Sequence, residues 1–319
     1  MRIPVALAAL FFLVMLGSHA WPVATPPPPP PAVSFVEAEP VQLRRGEPER
    51  RRVGKLLYLG GWALTSNDPR FGGISGMHVE GESVTAVSDS GWLIRFPLPR
   101  RAQVRAGIEM LGGSGSDKAD RDIEALVVHG ESAWVSLERR NAVIRFDRAR
   151  WRPVAAAKPK AMERWRGNRG GEAMVRLADG RFIIFSEGSG GISDAVMFAG
   201  DPAVLGTKAT KMRYRPPEGY RITDAAVTPD GRLLFLNRRL SLLQGGFLTK
   251  LTLGPVPETR ISGLIEGEEI AALRRPLVSD NMEVLSVTQE GGRTILWMAS
   301  DNNYNSVQRT LLLKFLLEG

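Results

Sequence analysis

Two glutamates occupy symmetric places in the segment DIEALVVHGESAWVSLE, residues 122–138. Its two apolar stretches flank Gly130, a pattern that predicts a β-hairpin. Glu124 and Glu138 are each seven residues from Glu131 in the turn, so we expect them to face each other across the open end. Like charges directly opposite on paired strands destabilise the pair. The two carboxylates therefore need a compensating feature, such as a shared proton, a partner cation or a bound metal ion.

Four further segments repeat this arrangement, each with an apolar strand, a turn, a second apolar strand and a polar end. The same count from each turn places four more pairs opposite each other: Ser75 and Asp89, Glu172 and Glu187, Asp224 and Asn237, and Glu283 and Asp301. The pair at Asn237 is followed directly by Arg238 and Arg239. Every hairpin is thus expected to present a polar, mostly acidic pair at the same end.

The spacing of these hairpins indicates how the chain is organised. Their openings, from Ser75 to Glu124, Glu172, Asp224 and Glu283, are separated by 49, 48, 52 and 59 residues. Self-similarity at about 40–50 residues with about four strands per unit is typical of a β-propeller. We therefore predict an all-β, six-bladed β-propeller over residues 55–319, with seven blades as the alternative and the weakly patterned segment 240–275 closing the sixth.

The two ends of the predicted propeller carry matching apolar segments. KLLYLGGWAL at 55–64 and TLLLKFLL at 310–317 are expected to pair in one blade, which removes exposed strand edges. In such a fold the first strand of every blade lines the central channel. The acidic openings would then converge at one mouth of that channel.

A convergent cluster of carboxylates is costly unless it is neutralised. Protons with raised pKa values, the nearby Arg139, Arg238 and Arg239, or a hard cation could each neutralise it. Ca²⁺ takes six to eight oxygen ligands from carboxylates, amides and carbonyls. The residues predicted to hold it are Asp89, Glu124, Glu172, Glu187, Glu283 and Asp301. The alternative is that acid–arginine pairs only fix the ends of the blades.

The N-terminal region reads as an export signal followed by a spacer. A basic start, an apolar stretch at 3–16 and small residues at Ser18 and Ala20 predict a signal peptide over 1–20, with a retained anchor as the alternative. Six consecutive prolines and a charged stretch predict a disordered linker over 21–54. We expect a periplasmic or secreted protein, with no membrane insertion after the signal is cleaved.

Composition excludes several kinds of chemistry. The chain has no Cys and only three His, and it lacks a G-x-S-x-G motif, so thiolate chemistry and a nucleophile elbow are excluded. The formal charge of +8 suits an anionic small molecule, a membrane surface or a cell-envelope polymer as partner. No basic stripe is interleaved with aromatic residues, so no nucleic-acid partner is expected. The protein is expected to be a monomer.

The motifs together resemble a known family. RFGGISGMHVEGESVTAVSDSG, DIEALVVHGESAWVSLERRNAVIRFD, GGEAMVRLADGRFIIFSEG, YRITDAAVTPDGRLLFLNRR and NMEVLSVTQEGGRTILWMASDN occur in the order seen in the phytase-like, esterase-like domain family of exported bacterial proteins. The resemblance runs from about Gly60 to Leu317. It implies a β-propeller with esterase or phosphoesterase activity. Asn237 and the pair Val284-Leu285 depart from the family pattern.

Two functional classes follow. The first is a periplasmic esterase or phosphoesterase-like hydrolase, with or without the assistance of a metal ion, that acts on an anionic small molecule at the mouth of the propeller. Its catalytic residues would be Glu124, Glu172 and Arg238, and Arg239 and Asn303 would bind the substrate. The second is a non-catalytic ligand-binding or scaffolding propeller that uses the same mouth.

Overall fold

A computed structural model describes residues 29–112, 117–166, 169–188, 191–257 and 263–318. Within these ranges the chain is all-β, apart from three short 3-10 helices at Lys118–Asp120, Lys160–Met162 and Leu242–Gln244. No helix among the described residues is long and apolar enough to cross a membrane. The signal peptide expected over 1–20 lies outside the described residues.

The strands of the described residues form five antiparallel units of four principal strands. The first unit consists of β4–β7, at Ile74–Glu80, Ser83–Ser88, Trp92–Pro97 and Gln103–Met110. The second consists of β8–β11, at Ile123–His129, Ser132–Leu137, Ala142–Asp147 and Arg152–Ala157. The third consists of β12–β15, at Gly171–Arg176, Phe182–Ser186, Ser193–Phe198 and Ala209–Tyr214.

The last two units each include a strand that does not follow the others directly along the chain. The fourth consists of β16, β17, β18 and β20, at Arg221–Val227, Leu233–Ser241, Gly246–Gly254 and Glu268–Leu273. The fifth joins β21–β23 to β3, at Met282–Glu290, Arg293–Ser300, Thr310–Leu317 and Leu56–Ser66. Three shorter or peripheral strands complete the described set: β1 at Ser34–Pro40, β2 at Arg52–Val53 and β19 at Leu264–Ile265.

The second strand of each unit is covered on both faces, as β13 illustrates. All five residues of FIIFS at 182–186 are buried. Phe182 faces the second unit, where its ring lies 5.1 Å from that of Trp134, and Phe185 faces the fourth unit, 5.5 Å from Phe235. A strand buried on both faces reads as a continuous apolar run. Burial of these apolar runs between neighbouring sheets is the main force that holds the units side by side.

The first strands of the five units contact one another in cyclic order. β4 lies next to β8, β8 next to β12, β12 next to β16, β16 next to β21, and β21 next to β4 again. The ring is closed by β3, which pairs antiparallel with β23 so that Leu56 is opposite Leu317 and Leu64 is opposite Thr310. The predicted pairing of the two terminal segments is therefore confirmed, and the arrangement is propeller-like.

The expected six blades are not confirmed, because the described strands supply five units. The segment 240–275 was expected to close a sixth blade, but its two long strands complete the fourth. β18 pairs with β17 along its whole length, and β20 then pairs with β18. The repeats in the sequence show five hairpins, and the sixth blade came from assigning the segment 240–275 to a unit of its own.

The expected disordered linker over 21–54 is also corrected, because β1 lies inside it. β1 hydrogen-bonds to β3 on one side and to β7 on the other, and so joins the fifth unit to the first. Val36 and Ala38 are buried in the core between these units. Pairing on both sides removes two strand edges that would otherwise be open. β1 is stabilised by these tertiary contacts, which cannot be predicted from its own polar, charged sequence.

Candidate functional site

The five inner hairpins share a β-bulge at the same place. In the second unit Ile123 pairs with Leu137 and Ala125 pairs with Ser136, so that Glu124 is the extra residue. The extra residues of the five units are Ser75, Glu124, Glu172, Thr223 and Glu283. A bulge leaves one residue unpaired and redirects side chains, and bulges are common beside functional sites. All five bulges lie at the open ends of the hairpins.

The bulges displace the predicted mirror pairs by one or two residues. The Glu138 amide donates to the carbonyl of Asp122 at 2.9 Å, so Asp122 rather than Glu124 is its backbone partner. The Asp301 amide likewise donates to the carbonyl of Asn281 at 3.0 Å, not to Glu283. The direct pairing of Glu124 with Glu138 and of Glu283 with Asp301 is therefore wrong. The carboxylates still gather at one end because every unit is displaced in the same way.

In the fourth unit, Asp224 was predicted to occupy the position equivalent to Glu124, which is one residue too far along the chain. The bulged residue of this unit is Thr223, whose hydroxyl donates to the carbonyl of Met282 at 3.2 Å. The buried Asp224 instead accepts hydrogen bonds of 2.7 Å from the backbone N–H groups of Ala225 and Leu285. Burial raises the pKa of Asp224 well above its usual range, and these two bonds act in the opposite direction. Asp224 thus connects two neighbouring inner strands.

The second unit carries a close group of three carboxylates. Oxygens of Asp122, Glu124 and Glu138 all lie within 4.8 Å of one another, which is close enough to share a metal ion. Burial raises the pKa of Glu124 well above its usual range, and the charge of Glu172 raises it further. Arg139 forms an ion pair with this group, with its Nε 2.7 Å from Asp122.

Several acids at the mouth hold protons at higher pH than usual. Burial, followed by the charge of Glu187, raises the pKa of Glu172 to about 8, and the nearby Arg238 opposes that rise. Burial and the charge of Asp122 raise the pKa of Glu138 to about 7. Burial also raises the pKa of Asp301 to about 6. At neutral pH the cluster therefore contains both protonated and ionised carboxyl groups.

Arg238 is the principal cation among these acids. Its guanidinium donates hydrogen bonds to the side chains of Asn281 and Glu283. The charges of Glu172, Glu187, Asp301 and Glu124 also favour its protonated form, although burial lowers the pKa of Arg238. An arginine remains protonated at neutral pH after such a shift, because its reference pKa is above 12. The residue thus ties the acids of several units to one positive charge.

A cavity of about 510 Å³ opens beside Arg238. Three arginines contribute to its wall, and the Nη1 of Arg221 is 2.9 Å from Glu187. The other lining residues are Gly219, Arg238, Arg239, Leu240, Phe247, Asn281, Glu283 and Asn303. The predicted Arg238, Arg239 and Asn303 therefore share one cavity. Its excess of arginines suits an anion, since guanidinium groups bind carboxylate and phosphate oxygens well.

The predicted metal ligands do not form one group. Glu187 and Glu283 are paired with Arg221 and Arg238, and Asp301 accepts the backbone N–H of Asn303 at 2.8 Å. Burial raises the pKa of Asp89, whose carboxylate accepts from the Ser90 hydroxyl at 3.1 Å. Of the three-carboxylate group, Glu124 was among the predicted ligands, whereas Asp122 and Glu138 were not. Its signal in the sequence is the alternation of Asp120, Asp122 and Glu124, which places the last two near one another.

The fold and the mouth define an all-β, propeller-like protein with an acid–arginine site at the convergence of its inner hairpins. The model of the Phytase-like family, described as esterase-like activity of phytase, matches residues 69–304. This match covers more than half of the chain, and the protein belongs to that family. The predicted family membership is therefore confirmed. No curated protein matches the chain.

Three solved structures illustrate how distant the structural similarities are. A glutaminyl cyclase of Myxococcus xanthus is 11% identical with a TM-score of 0.47, and the match covers 82% of this chain and 96% of that one. A Cellvibrio cellulosa α-L-arabinanase complexed with arabinohexaose is 11% identical with a TM-score of 0.44, covering 74% and 90%. The RS223 β-xylosidase is 10% identical with a TM-score of 0.46, covering 76% and 92%.

Proposed function

We propose that the protein is an esterase or phosphoesterase-like hydrolase that acts on an anionic small molecule at the mouth of the propeller. One observation carries the proposal. Carboxyl groups with raised pKa values surround the guanidinium of Arg238, and this cluster adjoins an arginine-lined cavity. Membership of the Phytase-like family supports the hydrolytic reaction class. Periplasmic action by a monomer is part of the same proposal.

The cavity residues supply binding and charge stabilisation. Arg221 and Arg239 line the cavity with Arg238 and would bind the anionic part of the substrate, with Asn303 as an additional hydrogen-bonding group. Arg238 would stabilise the negative charge that develops on the reacting centre. A fixed cation aimed at developing charge lowers the barrier most effectively where water is partly excluded. Its bonds to Asn281 and Glu283 hold that cation in place.

The acids supply the proton transfers. Glu124 and Glu172 each have a raised pKa, and the charge of Glu172 is the second cause of the shift at Glu124. Two carboxyl groups that disfavour each other's ionisation keep one proton between them over a range of pH. The ionised member would take a proton from the attacking water, and the protonated member would give one to the leaving oxygen.

A cation at Asp122, Glu124 and Glu138 belongs to the same proposal. Three carboxyl groups within 4.8 Å and one paired arginine offer several oxygen donors and, once ionised, an excess of negative charge. A hard cation such as Ca²⁺ prefers such oxygen donors. When bound, Ca²⁺ would polarise a substrate oxygen or lower the pKa of a coordinated water. The carboxylates of Asp122, Glu124 and Glu138 would hold the ion.

A non-catalytic binding propeller is the second candidate. It is favoured by the bonds that Arg238 already makes to Asn281 and Glu283, which occupy donors that a reacting group would need. In this reading the mouth would recognise an anionic ligand through Arg221 and Arg239 without transforming it. Both candidates use the same cavity and differ in whether bond cleavage follows binding.

A substrate screen with matched variants separates the two. Nitrophenyl carboxylic esters, phosphomonoesters and phosphodiesters would be tested with calcium and with chelator, using the wild-type protein and Glu172→Gln. The control is Glu82→Gln. Glu82 is an exposed acid in the turn between β4 and β5, and it is paired with Arg100. We expect hydrolysis that Glu172→Gln abolishes and Glu82→Gln retains. Binding of the same anions without turnover would overturn the hydrolase and favour the binding propeller.

A further inference from the structure

Large exposed apolar side chains concentrate beside the mouth. Among the described residues eleven large hydrophobic side chains are exposed, and five of them lie in or directly beside only two loops. The end of β17 presents Leu240, and the loop that follows it presents Leu242 and Leu243, which are 86% and 100% exposed. The loop between β22 and β23 presents Tyr304 and Val307, the latter 88% exposed. We call these five residues the apolar rim.

The two loops are neighbours at the same end of the molecule. They belong to the fourth and fifth units, whose inner strands β16 and β21 are in contact. Leu240 and Phe247, a paired couple on the strands that flank the first loop, line the cavity at the mouth, and Asn303 from the second loop lines the same cavity. The apolar rim therefore borders the proposed entrance, rather than being scattered over the surface.

Positive charge accompanies the apolar rim. Arg239, Arg274 and Arg275 are exposed, and no ion pair holds any of them within the part of the chain that the structure describes. The Cδ of Arg275 lies 3.2 Å from the position that a Cβ on Gly245 would occupy, so its stem packs against the leucine loop. The stretch RRLSLLQGGF at 238–247 and the stretch RRPLV at 274–278 contain no acid.

We propose that this face docks the protein on the surface of an anionic phospholipid bilayer. Contiguous exposed apolar groups mark interaction sites, and a combination of leucines and unpaired arginines fits the boundary between acyl chains and anionic headgroups. Docking is peripheral, and the loops enter the interface without spanning it. The mouth cavity then opens towards the membrane surface, from which an anionic amphiphile can enter it. This proposal goes beyond the reaction, because bilayer binding needs no turnover.

Self-association through the same face is disfavoured by its charge. A two-fold contact places the same patch of both copies together, so Arg239, Arg274 and Arg275 of one copy would approach those of the other. Like charges at a contact weaken it, whereas anionic headgroups neutralise all three. The bilayer is therefore the occupant that satisfies both the leucines and the arginines.

The test uses residues 31–319, which contain every described strand and form one compact unit. The apolar segment at 3–16 then cannot contribute to binding. Co-sedimentation would be measured with phosphatidylcholine vesicles, with and without phosphatidylglycerol. The first variant joins Leu242→Ser to Leu243→Ser. Its matched control is Leu205→Ser, a leucine that is 82% exposed beyond the end of β14, away from the mouth. A third variant joins Arg274→Gln to Arg275→Gln.

We expect the wild-type protein and Leu205→Ser to bind the anionic vesicles and the leucine variant to bind about tenfold more weakly. The arginine variant should lose about tenfold on anionic vesicles and little on neutral ones, and added salt should reproduce its loss. Equal binding by the leucine variant and the wild-type protein would overturn the proposal. A wild-type protein that ignores vesicles but sediments as a dimer, with the leucine variant monomeric, would assign the rim to self-association and would also overturn it.

Discussion

Arg238 and Glu283 form a hydrogen-bonded ion pair that crosses from the fourth unit to the fifth at the mouth of the propeller. Arg238 lies in β17, opposite Arg221 at the open end of its hairpin. Glu283 is the bulged residue of the next hairpin. Their side chains are 20% and 18% exposed, so both charges are largely removed from water. The pair joins neighbouring units and also fixes the cation at the proposed reaction site.

Removing the cation should destabilise the fold. Arg238→Met leaves Glu283 and the surrounding acids without their main counterion, and loss of one partner of a buried pair costs up to about 3–5 kcal/mol. Because the pair retains some solvent contact, we expect the free energy of unfolding to fall by about 2–3 kcal/mol. Urea unfolding at pH 7 measures this change.

The matched control is Arg232→Met, whose partner Asp230 is 53% exposed. A surface pair of this kind contributes about 0–1 kcal/mol, so this variant should change the unfolding free energy much less. Equal losses in the two variants would show that Arg238 has no special role in neutralising the cluster. The double variant Arg238→Met with Glu283→Gln should recover part of the loss, because it no longer leaves that carboxylate unpaired.

Stability should decrease as the pH rises through the neutral range. Glu172 and Glu138 have folded-state pKa values of about 8 and about 7, above the value of about 4.3 expected in the unfolded chain. Between these limits the folded state binds more protons than the unfolded state, so the free energy of unfolding falls with increasing pH. We expect a decrease of a few kcal/mol from pH 5 to pH 9, measured by urea unfolding across that range.

Glu172→Gln isolates the contribution of one group. A neutral amide cannot ionise, so the variant should match the wild-type protein near pH 5 and exceed it in stability near pH 9. An identical pH dependence in variant and wild type would contradict the raised pKa of Glu172. Asp68 supplies an internal contrast at the acid end, because its hydrogen bond from Arg70 lowers its pKa to about 2. Its stabilising contribution is present above about pH 4 and is lost as the pH falls towards 2.

The strands could be predicted from the sequence wherever apolar residues dominate. KLLYLGGWAL and TLLLKFLL predict their own pairing, because both are apolar and each lies at one end of the repeats. The strand β1 could not be predicted from the sequence, since SFVEAEP alternates only weakly. It is stabilised by pairing with the edges of β3 and β7. A strand that is stabilised mainly by its partners leaves little trace in its own composition.

The gathering of the acids at one end of the inner hairpins was predicted from the sequence, but their strand register was not. Convergence of the acids follows from the repeats, and the shared cavity of Arg238, Arg239 and Asn303 follows from their positions at the ends of strands. The bulge cannot be read from alternation, because an inserted residue keeps an apolar pattern on both sides of it. This is why Asp224 was taken as the counterpart of Glu124, whereas Thr223 occupies that position.

Asp224 should therefore act as a structural connector. Asp224→Ala removes the acceptor for the backbone N–H groups of Ala225 and Leu285 and leaves them buried without a partner. We expect the unfolding free energy to fall by about 1–3 kcal/mol. Asp224→Asn keeps one carbonyl acceptor of similar shape and should lose less. If both variants retain any hydrolase activity in proportion to their folded fraction, Asp224 has no direct part in the reaction; a selective loss of activity in the stable Asp224→Asn would contradict the connector role.

Calcium should raise the melting temperature, and chelator should lower it. A ligand that binds only the folded state stabilises it by about 2.7 kcal/mol at a hundred times its dissociation constant. Glu124→Gln distinguishes the ways in which the Asp122, Glu124 and Glu138 group could be neutralised. If the group binds calcium, the variant loses most of the calcium-dependent gain in melting temperature. If the group is merely repulsive, the variant is more stable than the wild-type protein without calcium, and if pairing with Arg139 dominates, it is less stable and indifferent to calcium. A wild-type melting curve that responds to neither calcium nor chelator would remove the metal from the proposed reaction, while the pair of Glu124 and Glu172 would remain available for proton transfer.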